Sequence, residues 1–144
     1  MKTVARSGGL NKMEEMKYSK DRDVRCLYEE FFGGWKIVIL NLGTHPTAYI
    51  GMDDKENFFY QKSYDYLAGE YRLQGNDVNG GFTYSAFGVQ DFYKNFWFLG
   101  WDYAHAGDYL GFMDNSGHKW TTEEILQQAR EQIRELNLWV KKIE

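Results

Sequence analysis

The chain has 144 residues, with 17 Lys and Arg against 21 Asp and Glu for a formal charge of −4, a balance that argues against a sequence-independent DNA binder. Aromatic residues make up 18% of it, 11 Tyr, 10 Phe and 5 Trp, so its apolar area comes from rings that suit both a core and a recognition surface. A single cysteine, Cys26, excludes an intramolecular disulfide framework and a multi-cysteine zinc site, and no run approaches the ~18 apolar residues of a membrane span.

The expectation is therefore one soluble, cytoplasmic domain over residues 11–144, preceded by a flexible tail at residues 1–10, where Arg6-Ser7-Gly8-Gly9 offers nothing to bury. The tail also lacks the apolar stretch of a signal peptide. Asp21 to Phe31 reads as a short amphipathic helix ended by Gly33-Gly34. Trp35 to Leu40 is β-branched and nearly continuous, hence a central strand. Gly43-Thr44-His45-Pro46 turns it into a second strand, Thr47 to Met52, and the two make a hairpin.

Residues 53–76 are polar and tyrosine-rich, too long for a structureless loop, and call for a short helix near Ser63 to Ala68. The rings of Phe58, Phe59, Tyr60, Tyr64, Tyr66 and Tyr71 are expected to pack rather than wall a ligand site. Turn chemistry at Asp77-Val78-Asn79-Gly80-Gly81 opens a strand from Phe82 to Ser85, and a loop over Gly88 to Lys94 leads to another from Phe96 to Trp101. Thr121-Thr122-Glu123-Glu124 spells a capping box. Ile125, Ala129, Ile133, Leu136, Val140 and Ile143 then mark one apolar stripe along a helix of about six turns. Strands in the middle and helices at both ends give an α+β fold, a mostly antiparallel sheet packed by a long C-terminal helix with a shorter N-terminal one. The long apolar stripe also makes a homo-oligomer an expectation.

Chemistry concentrates where the last strand runs out, at Asp102-Tyr103-Ala104-His105-Ala106-Gly107-Asp108. Two carboxylates and an imidazole suit a divalent metal that could activate water for hydrolysis, with His45 or His118 as further ligands. The same loop could bind a small polar, nucleotide-like ligand. His105 and the amides around Gly107 would donate to anionic oxygens, and Tyr103 would stack on a base. It could equally be a turn whose carboxylates accept backbone amides. No cofactor is required by any motif, and neither Ser85 nor Cys26 sits in a nucleophile motif. Binding is preferred to catalysis, with Asp102, His105, Asp108, Asn79, Gly80, Gly81, Tyr84 and Tyr103 as the ligand-binding set.

Several ordered blocks resemble a family of small, largely uncharacterised proteins encoded by phages and prophages. They are Ala48-Tyr49-Ile50-Gly51, Asn79-Gly80-Gly81-Phe82-Thr83-Tyr84-Ser85, Trp97-Phe98-Leu99-Gly100-Trp101-Asp102 with Ala104-His105-Ala106-Gly107-Asp108, and the closing helix. The family pattern carries a histidine before the glycine pair where this chain has Asn79, which removes a second imidazole from that point. The resemblance implies a phage accessory protein that blunts host defence, partnered by a small nucleotide-like ligand or a host defence protein. A metal-dependent hydrolase and a structural or assembly protein are the alternatives.

Overall fold

The computed structural model describes Met16 and residues 25–109 and 116–144; the expected tail at residues 1–10 lies outside them. Strands β1 (Arg25–Phe32), β2 (Trp35–Asn41), β3 (Pro46–Met52), β4 (Tyr84–Val89) and β5 (Phe92–Asp102) form one antiparallel sheet in the order β1-β2-β3-β5-β4. Helix α1 (Tyr64–Tyr71) follows β3, and helix α2 (Thr122–Ile143) closes the chain. The fold is α+β, a five-stranded antiparallel sheet packed against a long C-terminal helix.

All seven residues of β2 are buried, which is why its sequence is nearly continuous in apolar residues rather than alternating, with Lys36 and Asn41 as the polar exceptions. On one face of the sheet Trp35, Ile37, Ile39, Ala48, Ile50 and Leu99 meet Ile125, Ala129, Ile133 and Leu136 of α2. That helix begins as its sequence requires. Thr121 accepts from the Glu124 amide at 3.1 Å, and the Glu124 carboxylate accepts from the Thr121 amide at 2.9 Å. The 53–71 segment packs onto the same side, with Phe59 5.3 Å from the Trp35 ring and Phe58 5.2 Å from Trp139.

The opposite face is aromatic. Tyr49 and Phe98 sit 6.4 Å apart, edge to face, and they fit because β3 and β5 carry glycine directly across from them, at Gly100 and Gly51. A Cβ on Gly100 would lie 2.6 Å from the Tyr49 ring, and one on Gly51 would strike Phe98 and the Trp97 carbonyl. The start of β5 curls back over this face until Phe96 reaches Phe31 of β1, 6.4 Å away. Lys36 lies under the fold, 4.3 Å from the Tyr93 ring and 3.7 Å from Glu29.

Two expectations are corrected. The segment read as an N-terminal helix is strand β1 over residues 25–32, and the shorter helix is α1. A bulge between Cys26 and Tyr28 breaks the period of two, and an acidic residue sits on each face: Glu29 beside Lys36, and Glu30 in a two-pronged pair with Arg130 of α2, both contacts 2.7 Å. The loop expected over Gly88 to Lys94 is the tip of the β4–β5 hairpin. Gly88, at φ +78°, forms a second bulge there, so the strand expected over Phe82 to Ser85 starts at Tyr84 and runs on to Val89.

Candidate functional site

Strand β5 ends at Asp102, and the next six residues fold into a tight loop. The Asp108 amide donates to the His105 carbonyl at 3.0 Å, and backbone bonds from Tyr109 to His118 and from His118 to Gly107 tie the loop to the approach to α2. Asp108 is its hub. One carboxylate oxygen accepts from the Trp120 indole at 2.8 Å; the other accepts from the His105 amide at 2.9 Å and from the Asn79 side chain at 2.8 Å. Three neutral donors therefore occupy this carboxylate. Asp102 accepts from the Ala104 amide at 3.1 Å, and His105 Nε2 lies 3.0 Å from the same oxygen, out of line for a hydrogen bond. Both side chains are about one-third exposed, where such a pair contributes little.

The Asn79-Gly80-Gly81 turn is the other half of the assembly. Gly80, at φ +73°, lies under the His105 imidazole, and a Cβ there would come within 2.6 Å of Nε2. From the side of α2, Gln128 accepts from the Asn79 amide at 3.2 Å and Gln132 from the Asp77 amide at 2.9 Å. With the Asn79 side chain donating to Asp108 at 2.8 Å and to the Asp102 carbonyl at 3.4 Å, the turn is fixed by four acceptors from two other segments. In front of it lies a cleft of about 500 Å³ lined by Tyr64, Asp65, Gln74, Asn76, Gly80 and Gly81.

The structure thus gathers Asp102, His105, Asp108, Asn79 and Gly80, and carries Gly81 into the cleft. It does not bring Tyr84 or Tyr103 to that cleft. Tyr84 belongs to the far face of the sheet, 5.2 Å from the Tyr49 ring, with its hydroxyl donating to the Gly88 carbonyl at 2.9 Å; burial raises its pKa. Tyr103 is 0% exposed, beneath Trp120. Its hydroxyl accepts from the Trp101 indole at 2.8 Å and donates to Gln128 at 2.7 Å. A ring so enclosed offers no stacking surface. Alternation explains both misplacements, since neighbouring strand residues face opposite sides of a sheet and the register decides which.

Nor do the other histidines converge on Asp102. His118 pairs with Glu124 at 2.8 Å and His45 with the Thr44 hydroxyl at 3.1 Å. Among the described residues no group of three or more His, Cys, Asp or Glu is arranged to hold a metal ion. Gln128, Gln132 and Trp120, which organise the turn, carry no motif; the one signal for the pair of glutamines is their spacing of four on α2, beside the apolar stripe. No protein-family model, curated protein or solved structure matches this chain.

Proposed function

We propose that the protein works by stoichiometric binding, holding a small polar, nucleotide-like molecule in the cleft before Gly80 and Gly81. One observation carries this reading: the turn that lines the cleft is held from behind by Asp108, Gln128 and Gln132, so little ordering remains to be paid on binding. The wall itself is of binding type. Gln74 and Asn76 supply amide donors and acceptors, Asp65 an acceptor, Tyr64 a ring. Asp108, by contrast, is engaged with three donors of the fold, which favours binding over metal-assisted hydrolysis. The phage or prophage origin, and the blunting of host defence by sequestration, belong to the same proposal and rest on the ordered motif blocks.

The test is native mass spectrometry of the protein purified from its host without chelator, set against a denatured run and against Tyr64→Ala. One small organic molecule per chain, released on denaturation and lost in the variant, is the expected result. A bare protein, or a stoichiometric metal instead, overturns the reading.

A further inference from the structure

The chemistry of the cleft before Gly80 and Gly81 limits what can fill it. No Lys or Arg is among the described residues that line it, whereas one carboxylate, Asp65, is, so a phosphate group there would meet repulsion and no counter-charge. The start of α1 offers no substitute, because the Tyr64 amide donates to the Ser85 hydroxyl at 3.2 Å and the Tyr66 amide to the Ser63 hydroxyl at 3.2 Å. The polar side chains that line the cleft stand on fixed backbone. Asp65 lies on the capped first turn of α1. The Gln74 carbonyl accepts from the Phe82 amide at 2.8 Å, and Asn76 sits inside the turn closed by the Val78 amide on the Gly75 carbonyl. Asp65, Gln74 and Asn76 are all exposed.

An ionised carboxylate only accepts, through two oxygens side by side, and so pairs fully with two adjacent donors. Among the common bases guanine alone presents such a pair, N1–H and the 2-amino group. Adenine and cytosine set their amino group beside a ring acceptor, and uracil flanks its single N–H with two carbonyls. Guanine's O6 and N7 are acceptors, which match the NH₂ groups of Gln74 and Asn76, while Tyr64 supplies a ring on which the base can stack. We infer that the cleft selects a guanine nucleoside, with Asp65 on N1–H and the 2-amino group, Gln74 and Asn76 on O6 and N7, and any phosphate left outside. This rests on the ligand site proposed above and specifies its occupant.

Calorimetric titration of the dialysed full chain tests the assignment with guanosine, inosine, adenosine, cytidine, uridine and GMP. Guanosine is expected to bind saturably at one site. Inosine, which lacks only the 2-amino group, should bind at least about tenfold more weakly, as loss of a hydrogen bond to a charged group implies. The other nucleosides should be weaker by at least as much, and GMP no tighter than guanosine. Asp65→Asn, a change at an exposed position, should weaken guanosine at least about tenfold and strengthen xanthosine, whose C2 carbonyl accepts where guanosine's amine donates. Inosine as tight as guanosine, GMP tenfold tighter, or Asp65→Asn binding guanosine like the parent would overturn the inference. Another nucleoside preferred over guanosine, and lost in Tyr64→Ala, would overturn the guanine assignment while the ligand site stands. No binding by any nucleoside or by GMP would overturn both.

Discussion

Replacing Asp108 separates the structural use of the Asp102–Asp108 loop from any chemical one. Its carboxylate accepts bonds of 2.8, 2.9 and 2.8 Å from Trp120, His105 and Asn79. A net contribution of about 1 kcal/mol per bond puts Asp108→Ala at about 3 kcal/mol, with part of that cost coming from donors left half-buried and unpaired. Asp108→Asn keeps the shape but turns an NH₂ group toward at least one donor, for about 1–2 kcal/mol. Asp102→Ala removes one amide bond and a contact to an exposed imidazole, and should cost no more than about 1 kcal/mol. Urea unfolding reads all three, as midpoints at constant slope. Amide exchange should also quicken at Asn79 and Gly81 in Asp108→Ala and stay slow in Asp102→Ala. If Asp108→Ala falls within about 0.5 kcal/mol of the parent, or Asp102→Ala costs as much, the loop is not the clamp its geometry describes.

Gly100→Ala drives a methyl into the Tyr49 ring 2.6 Å away and should cost about 2 kcal/mol or more; a neutral result in thermal unfolding would show that the aromatic face yields. Glu30 is held below its ordinary pKa of 4.5 first by the Arg130 guanidinium, with burial opposing and Tyr28 assisting. A carboxylate depressed in the folded state stabilises above its unfolded pKa, and the benefit fades as the pH falls through the folded one. Urea midpoints of the parent should therefore drop more steeply below pH 4.5 than those of Glu30→Gln, and parallel profiles would refute the pairing. Thr121→Ala removes half of the capping box and should lose about 1 kcal/mol. Burial opposes, yet the Thr121 amide, His118 and the Thr121 hydroxyl together hold the Glu124 pKa below its ordinary value; the substitution keeps the amide but removes the hydroxyl and should move that pKa upward, measurable by carboxyl NMR titration.

Local signals made much of the fold legible. The capping box and the three-and-four spacing marked α2, the β-branched run marked β2, and the turn at Gly43 marked the hairpin. Each of those elements is stabilised by what lies within its own few residues or along its own face. β1 was not legible, because Glu29 and Glu30 stay in a strand only through partners at Lys36 and at Arg130, 100 positions away. Its bulge also places Leu27 and Tyr28 so that apolar spacing mimics a helix. The hairpin tip at Gly88 was hidden likewise, since a bulge glycine and a loop glycine are written alike.

The same distinction governs the site. Asp102, His105 and Asp108 form the sequence's most chemical-looking cluster, and their spacing does bring them together, yet what they hold is another part of the chain. Asp108 reaches 29 positions back to Asn79, and Gln128 reaches 49 positions to the same residue. A carboxylate that will bind a ligand and one that will bind its own fold obey identical local rules; only the donor at the other end distinguishes them. Here the donors are Asn79, the His105 amide and Trp120. The consequence is a transfer of role: the loop after β5 acts as the brace, and the surface it braces, Gly80 and Gly81 with the amides of Gln74 and Asn76, lines the cleft proposed to hold the ligand.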